Sequence, residues 1–338
     1  MPSLNRRQTL ALVAAAGATG LFNASATAAE SLTVALDWTP NTNHVGLFVA
    51  RDKGYYAEAG LDVSILPYGD TASTTLVANH VADFGIVSAV SFFTQRAAGA
   101  DLKAVYAVVR SETGRLVYNA RNSAIKSPRD LDGLRYGGFG SAWENALIET
   151  IIRHAGGKGE FETITLGTSA YEALANGAVD FTLEVSTWEG VEARLRGLAQ
   201  GEFRYADYGV PDQHTTLIAS SMNYLTAQAK TAAAFIQATQ RGYAFAVDQA
   251  DEAAEILLRA NSGFLTDPAL VHASLEALND GHFLRGRDGA VGTINPTKIE
   301  AIGEFLFDSG ILLDADGKPL KQEPHFADYF SNDYFDAA

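Results

Sequence analysis

The sequence predicts an α/β protein with two lobes, each built on a mainly parallel β-sheet flanked by helices. Segments with strand-like patterns alternate with segments of helical periodicity, which is typical of β-α-β construction. The alternation forms two blocks of about a hundred residues each, and a mostly helical segment follows them. The chain has 338 residues, of which 47% are hydrophobic, so it is long enough to bury two cores.

The first block contains three predicted strands separated by two predicted helices. The strands cover residues 32–38, 61–67 and 83–87, which are apolar or alternate between apolar and polar residues. Apolar residues at helical spacing predict helices over residues 44–59 and 71–82. Strands that are connected through helices favour parallel pairing.

The second block begins after Gly114 and repeats this alternation. Ser141 and Glu144 have the spacing of a capping box and predict the start of a helix. We predict strands at residues 116–118, 134–136, 161–166 and 181–185, and helices at 141–155, 169–178 and 187–195. A further strand at 215–220 precedes predicted helices at 226–259, 268–278 and 296–308.

The order of the two blocks predicts that the chain crosses twice between the lobes, near residues 109–114 and near residues 211–216. Lobe 1 would then contain residues 29–112 and 215–338, and lobe 2 would contain residues 113–214. Two crossings form a hinge and leave a cleft between the lobes. We expect a ligand to bind in this cleft.

The N-terminus has the pattern of an export signal. Arg6 and Arg7 precede a short apolar run over residues 11–22, and residues 26–28 have the small-x-small pattern of a signal peptidase site. We predict cleavage after Ala28. The paired arginines resemble a twin-arginine signal, and an ordinary Sec signal is the alternative. Either signal predicts a periplasmic protein.

Charge and cysteine content exclude several classes of protein. The formal net charge is −15, and without Arg6 and Arg7 the remaining 23 basic and 40 acidic residues give −17. Such a negative surface would repel nucleic acid and anionic lipids. The sequence has no cysteine, which excludes disulfides, thiolate metal sites and cysteine nucleophiles.

The sequence also lacks the motifs of common catalytic and metal sites. Its seven histidines are scattered without metal-ligand spacing, and no nucleophile elbow is present. Residues 137–141 form a glycine-rich turn before a helix, but the spacing fits neither a dinucleotide fingerprint nor a P-loop. We therefore expect no metal, no cofactor and no catalytic residues, and we expect the glycines to let the backbone approach something in the cleft.

The three tryptophans all follow predicted strands. Trp38, Trp143 and Trp188 lie at the carboxyl ends of strands, where open α/β sheets bind their ligands. Large amphipathic rings at such positions indicate stacking on a planar ligand. The alternative for each tryptophan is an ordinary packing role at the start of a helix.

The polar groups near the same strand ends are mostly acidic, and we expect these strand ends to supply no arginine or lysine fork for an anion. This composition favours a neutral or cationic ligand over an anion such as nitrate or sulfonate. The alternative for each acid is a solvated helix N-terminus, where the helix dipole favours negative charge. The acids are Asp37, Glu144, Glu184, Glu189 and Glu192.

Several motifs resemble those of a known family. Residues 36–47 and 53–61 closely resemble the opening of the periplasmic proteins related to thiamine-pyrimidine synthase, and residues 136–141 and 188–197 add weaker support. Within that superfamily the chain resembles the substrate-binding components of ABC importers for thiamine pyrimidine precursors. The resemblance implies a type II periplasmic-binding-protein fold. It also implies a ligand such as N-formyl-4-amino-5-aminomethyl-2-methylpyrimidine.

The resemblance implies that Asp37, Trp38, Trp188 and Glu192 line the ligand pocket. The chain departs from the family at Ser186, where the pyrimidine binders tend to carry an aromatic residue. Trp143 could replace that ring. The further predicted ligand-binding residues, at strand ends or within the motifs, are Asn41, His44, Ser88, Gly138, Trp143 and Glu144.

The rival prediction is an enzyme, because the same superfamily contains a eukaryotic pyrimidine synthase that uses pyridoxal phosphate. That synthase carries a lysine and a histidine where this chain has Val87 and Ser91, together with a cysteine-rich segment. Without a lysine to hold the cofactor and a histidine to donate atoms, the synthase reaction cannot proceed. Other open alternatives are a binder of a flavin-like solute or of a sulfonate- or nitrate-type anion. As partners we expect an ABC permease and ATPase, and we expect a monomer that binds no nucleic acid.

Overall fold

The computed structural model describes residues 29–335. The predicted export signal and the cleavage site after Ala28 lie outside the described residues, as do residues 336–338. None of the helices within the described part of the chain combines the length and hydrophobicity needed to cross a bilayer.

Strands and helices alternate in two blocks, as the sequence predicts. The strands are β1 Glu30–Ala35, β2 Leu61–Leu66, β3 Phe84–Ser88, β4 Lys103–Val109, β5 Gly114–Asn119, β6 Arg135–Gly138, β7 Glu162–Thr165, β8 Phe181–Val185, β9 Gln200–Arg204 and β10 Thr216–Ser220. The helices are α1 Val45–Asp52, α2 Tyr55–Glu58, α3 Ser73–Ala78, α4 Ala89–Ala97, α5 Ala142–His154, α6 Ala170–Asn176, α7 Glu189–Leu195, α8 Met222–Ala227, α9 Ala229–Asp248, α10 Ala250–Ala260, α11 Pro268–Asp280 and α12 Pro296–Asp308.

The strands form two separate sheets, each with one strand that runs against the others. The first sheet has the order β2-β1-β3-β10-β4, and β10 is antiparallel to both of its neighbours. The second has the order β7-β6-β8-β5-β9, and β5 is antiparallel to both of its neighbours. The other strands of each sheet share one direction, so the prediction of mainly parallel sheets is confirmed. The antiparallel strands β5 and β10 are those that the chain reaches directly from the other sheet. No crossover helix precedes them, and such a helix is what makes successive strands of one sheet parallel.

Two predicted helices are interrupted in the structure. The helix expected over residues 44–59 is broken between α1 and α2, where Gly54 adopts a left-handed conformation with φ of 78°. The helix expected over residues 226–259 is divided at Gln228 and Gln249, whose backbones are not helical. No glycine or proline lies at Gln228 or Gln249, so local sequence patterns do not predict the breaks at these two residues.

The first sheet is covered by helices on both faces. One face packs under α1, α9, α10 and α11 around buried residues such as Phe84 and Phe235. The other face packs under α3, α4 and α12 around Phe93 and Ile302. We call this sheet with its helices lobe 1, and the second sheet with α5, α6 and α7 lobe 2.

Helices α1 and α9 cross in backbone contact. A Cβ atom at Gly242 would overlap the carbonyl oxygen of Gly46, and one at Gly46 would overlap the ring of Tyr243. Only glycine at these two positions permits the observed distance between the helices. The Gly46 position, which is part of the motif at residues 36–47, is therefore explained by packing.

The chain passes from β4 to β5 through residues 110–113, and it returns from β9 to β10 through residues 205–215. Buried side chains join the two crossings. Gln213 Nε2 donates to Glu112 Oε2 over 2.6 Å, and the Glu112 backbone N donates to Asp212 Oδ1 over 2.8 Å. Lys298 of α12 pairs with Asp212 over 2.7 Å and so ties the crossings to lobe 1.

Candidate functional site

The predicted site residues lie in loops at the carboxyl ends of strands from both sheets. Asp37 and Trp38 follow β1, and Ser88 ends β3. Gly138 ends β6 in the other sheet, and Trp188 follows β8. Helices that start at these ends of lobe 2 contact lobe 1, since Trp143 and Trp188 both pack against its buried clusters. The two carboxyl-end edges therefore face each other.

Asp37, Asn41 and His44 form one hydrogen-bonded turn. The buried His44 ring accepts a hydrogen bond from the Asn41 backbone N at Nδ1 over 3.3 Å, so its proton is on Nε2. Nε2 donates to Asp37 Oδ1 over 2.9 Å. The Asn41 side chain caps the same turn by accepting from Asn43 N over 2.9 Å. His44 and Asn41 thus stabilise the loop, and His44 orients the Asp37 carboxylate, which is partly exposed to solvent.

Trp38 carries an exposed ring beside a second aromatic residue. Its ring centroid lies 5.1 Å from that of Tyr68, with 41° between the planes. Trp38 is 40% exposed and Tyr68 is 42% exposed, which is high for large aromatic side chains. Tyr68 follows β2, and the sequence argument missed it. Tyr68 lies two residues beyond the end of an alternating strand, and this position could have indicated a place at the same edge as Trp38.

Trp143 occupies a packing position between the lobes. It belongs to the first turn of α5 in lobe 2, and its ring makes an edge contact with Phe305 of α12 at 5.9 Å. It packs against buried clusters of both lobes. The structure thus gives Trp143 the packing role that the sequence left as its alternative.

Glu144 and Gly138 also have structural explanations. Glu144 accepts hydrogen bonds from Ser141 N over 2.8 Å and from Phe139 N over 3.2 Å, and Ser141 Oγ accepts from Glu144 N. The predicted capping box is confirmed. A Cβ atom at Gly138 would overlap the hydroxyl of buried Tyr136, so this glycine makes room for a neighbouring side chain. Phe139 next to it is 53% exposed and was not among the predicted residues.

Ser88 caps α4. Its Oγ accepts a hydrogen bond from Ser91 N over 3.1 Å, and the residue is exposed at the end of β3. The hydroxyl proton is not used by this cap, so Ser88 can still donate to a ligand.

Trp188 bridges the lobes from the start of α7. Its ring is half-buried and packs against the cluster beneath α1 and α11 of lobe 1. The preceding carbonyl, Thr187 O, accepts a hydrogen bond from Ser274 Oγ of α11. Trp188 is therefore held from lobe 1 although its strand belongs to lobe 2.

Several acids of lobe 2 share one neighbourhood around the hydroxyl of Tyr171. Burial raises the pKa of Tyr171, and the nearby carboxylates of Glu189, Glu184, Glu144 and Glu192 raise it further. Tyr171 is thus a neutral hydrogen-bond donor at neutral pH. It lies in the first turn of α6, after β7, and the sequence argument missed it.

The acids differ in their surroundings. Burial raises the pKa of Glu184 to about 7, and Gln200 and Arg194 lower it in part. Burial also raises the pKa of Glu189, which accepts from Val185 N over 3.1 Å. Glu192 is half-exposed and faces Arg196 at 3.6 Å.

Two cations on α7 qualify the expectation that the site lacks arginine. Arg194 acts on Glu184, and Arg196 pairs with both Glu192 and Glu172. Both guanidinium groups are exposed, Arg194 in the last turn of α7 and Arg196 directly after it, and both are matched by acids. Residues 29–335 contain no group of three His, Cys, Asp or Glu side chains arranged to hold a metal ion.

Comparison with protein families and curated proteins relates the chain to pyrimidine binders and synthases. A family model described as NMT1/THI5 like matches residues 41–253. The formylaminopyrimidine-binding protein of Halalkalibacterium halodurans is 31% identical over 238 residues, which cover 68% of this chain and 71% of that protein. The 4-amino-5-hydroxymethyl-2-methylpyrimidine phosphate synthase THI13 of Saccharomyces cerevisiae is 24% identical over 165 residues, 48% of each chain.

Solved structures share the fold at lower sequence identity. The alkanesulfonate-binding protein SsuA of Xanthomonas axonopodis pv. citri, bound to MOPS, has a TM-score of 0.64 at 17% identity and covers 89% of this chain and 98% of its own. The periplasmic aliphatic sulphonate binding protein SsuA of Escherichia coli has a TM-score of 0.63 at 16% identity, covering 87% and 93%. The predicted two-lobed periplasmic-binding-protein fold is confirmed.

Proposed function

Since the chain belongs to the NMT1/THI5-like family, we propose that it is the extracytoplasmic substrate-binding component of an ABC importer for a thiamine pyrimidine precursor. The ligand class is an aminopyrimidine such as N-formyl-4-amino-5-aminomethyl-2-methylpyrimidine. The similar protein from Halalkalibacterium halodurans carries the name of a formylaminopyrimidine-binding protein, which supports this ligand. We also propose that the signal peptide is cleaved after Ala28 and that the mature protein is a periplasmic monomer. Its partners would be an ABC permease and ATPase.

The observation that carries the proposal is the group of Trp38, Tyr68 and Asp37 at one edge of lobe 1. Two exposed aromatic rings lie 5.1 Å apart, and stacking on such rings buries a planar heterocycle. Asp37 lies next to Trp38, and His44 occupies only its Oδ1. Within residues 29–335, no hydrogen bond reaches the second oxygen of Asp37, Oδ2. A carboxylate oxygen of this kind can accept a hydrogen bond from the amino group of an aminopyrimidine.

Lobe 2 offers the opposite wall of the proposed cleft. Glu192, Glu189 and the neutral Tyr171 hydroxyl present acceptors and one donor near Trp188. Micromolar affinity for a ligand of about a dozen heavy atoms needs roughly 0.7 kcal/mol of binding free energy per atom, which requires that most of the ligand be buried. Closure of the two lobes on the ligand would bury it to that extent. The predicted residues Glu144, Gly138 and Trp143 would then support the walls.

A synthase activity fits this chain less well than binding does. The positions that match the lysine and histidine of the synthases hold Val87, which is buried in β3, and Ser91, which donates its backbone N–H to Ser88. Neither side chain can form a Schiff base or donate imidazole atoms.

A sulfonate ligand is the second candidate, because the structural neighbours named above are sulfonate-binding proteins. The carboxylates of Asp37 and Glu189 would repel a sulfonate, and Arg194 and Arg196 already face acids. The electrostatics of the described side chains therefore favour a ligand that carries hydrogen-bond donors.

A ligand screen by thermal shift, followed by calorimetry, tests the proposal. Purified mature protein is measured with the formylaminopyrimidine, with 4-amino-5-hydroxymethyl-2-methylpyrimidine, with riboflavin, with an alkanesulfonate and with nitrate. We expect stabilisation by the pyrimidines alone, because ligands that bind only the folded state raise the melting temperature. Stabilisation by the sulfonate without the pyrimidines would refute the proposed ligand and leave the binding-protein class standing.

A further inference from the structure

Three buried polar groups form a chain that connects the lobes. Thr42 Oγ1 lies 2.6 Å from Ser274 Oγ, and Ser274 Oγ lies 2.5 Å from Thr187 O. Ser274 is fully buried, and Thr42 and Thr187 are 2% and 3% exposed. Thr42 and Ser274 belong to lobe 1, while Thr187 follows β8 of lobe 2. Water therefore does not compete for these bonds.

The direction of each hydrogen bond in this chain follows from its last acceptor. A carbonyl oxygen can only accept, so Ser274 donates its single proton to Thr187 O. Thr42 must then donate its own proton to Ser274 Oγ. Successive hydroxyl bonds that point the same way strengthen one another in a low-dielectric interior.

The chain of hydroxyls joins the lobes beside the place where Trp188 packs against lobe 1. Within residues 29–335, and apart from the crossing segments at 110–113 and 205–215, Ser274 to Thr187 is the one hydrogen bond between the lobes. A groove of about 310 Å³ separates α7 from α11 beside it, lined in part by Leu195 and Ala273. The hydrogen bond from Ser274 therefore adds a directional contact to the apolar packing of Trp188 at this junction of the lobes.

The Thr187 carbonyl belongs to the peptide that carries Trp188. Trp188 N donates to Val185 O over 3.0 Å, so the turn before α7 is fixed on one side by lobe 2. Ser274 fixes the same peptide from lobe 1. The position of the Trp188 ring against lobe 1 thus depends on both bonds.

We propose that Ser274 is a positioning residue that latches lobe 2 to lobe 1 through Thr187 and so fixes Trp188 in the closed, ligand-binding arrangement. The proposal rests on the proposed function for its effect on affinity, and on geometry alone for its effect on Trp188. A contact made only in the closed form favours that form, and a ligand that binds the closed form gains affinity in proportion. Opening of the lobes breaks the bond to Thr187 and keeps the bond to Thr42.

Ser274→Ala removes the latch, and Ser220→Ala is its matched control. Ser220 is also fully buried, and its Oγ donates to the backbone carbonyl of Asp83 over 2.6 Å, but both residues belong to lobe 1. Each variant loses a hydrogen bond from a buried serine to a backbone carbonyl, and Ser274→Ala also removes the acceptor of the Thr42 hydroxyl. Thr42→Val is a second test, because it keeps the volume at residue 42 and weakens the latch without removing the Ser274 donor.

The first readout needs no ligand. In a Trp38→Phe, Trp143→Phe background Trp188 is the sole tryptophan, since the sequence has three. We expect Ser274→Ala to shift the Trp188 emission to the red and to increase its quenching by acrylamide at least twofold, and Thr42→Val to do so less. Ser220→Ala should leave both unchanged. Equal Trp188 accessibility in Ser274→Ala and Ser220→Ala, with both folded by circular dichroism, would overturn the latch.

The second readout is affinity for the formylaminopyrimidine by calorimetry in the otherwise natural chain. We expect Ser274→Ala to weaken binding by about 5- to 10-fold, the factor that one net hydrogen bond supplies, and Ser220→Ala by less than about twofold. A changed Trp188 emission with unchanged affinity would overturn the role in binding. If the natural chain binds no pyrimidine, the proposed ligand fails, and the fluorescence result still decides whether Ser274 latches the lobes.

Discussion

Replacing Glu184 with glutamine should change how the stability of the protein depends on pH. Glu184 is 6% exposed in β8, and burial raises its pKa to about 7. Gln200 Nε2 donates to Glu184 Oε2 over 3.1 Å, and a glutamine at residue 184 can still accept this bond through its carbonyl oxygen. The substitution therefore removes the ionisable group and keeps the shape of the side chain.

The size of the effect follows from the two pKa values. The unfolded chain has the ordinary carboxyl pKa of 4.5, so the folded protein binds more protons between pH 4.5 and 7. The stabilising contribution of this group is fully present below pH 4.5 and is lost as the pH rises through 7. At about 1.4 kcal/mol per pKa unit, the wild type loses about 3 kcal/mol of unfolding free energy through this group by about pH 8.

The assay is urea unfolding of wild type and Glu184→Gln at several pH values from about 4.5 to 8. We expect the unfolding free energy of the variant relative to wild type to increase by about 3 kcal/mol across this range. Glu172→Gln is the control, because Glu172 is an exposed carboxylate on the neighbouring helix α6 and pairs with Arg196. A difference between wild type and Glu184→Gln that stays constant to within about 1 kcal/mol would refute the reasoning from burial.

Three other substitutions test packing, ligand binding and export. Trp38→Ala should weaken pyrimidine binding tenfold or more, because stacking on the ring and burial by it are lost. Phe264→Ala is the control, since Phe264 is an exposed ring outside the strand-end loops, and its affinity in calorimetry should stay unchanged. Gly242→Ala should cost about 3 kcal/mol or more in urea unfolding because α1 must move away from α9, and Gly69→Ala, which has open space, should cost little. Changing Arg6 and Arg7 to lysine should leave the protein in the cytoplasm by fractionation, and normal export would identify a Sec signal.

The alternation of apolar segments predicted most of the fold, but two strands were missed. β4, Lys103–Val109, is buried along almost its whole length, so it shows no alternation between apolar and polar residues. β9, Gln200–Arg204, is a mostly polar edge strand and has little to distinguish it from a loop. Local patterns report burial on one face, and these strands are buried on both faces or hardly at all.

The candidate site was predictable where a residue type and a strand end coincide. Trp38 and Asp37 became candidates in this way, and the capping box of Ser141 and Glu144 was predicted from spacing and is confirmed. The neighbours Tyr68 and Tyr171 were not found, because contact between different loops depends on strand order and on how the lobes meet. A single sequence contains no direct signal for either.

The position of β10 has a consequence for the order in which the chain can fold during synthesis. β10 lies between β3 and β4, yet it follows the whole of lobe 2 in the sequence. A growing chain can complete the contiguous sheet of residues 114–204 first, while β4 has no partner until residue 220 has left the ribosome. The buried apolar strand β4 must wait through roughly a hundred residues of translation, about 5–20 s at about 5–20 residues per second. Lobe 1 is therefore the half of this protein that most needs protection from aggregation during synthesis.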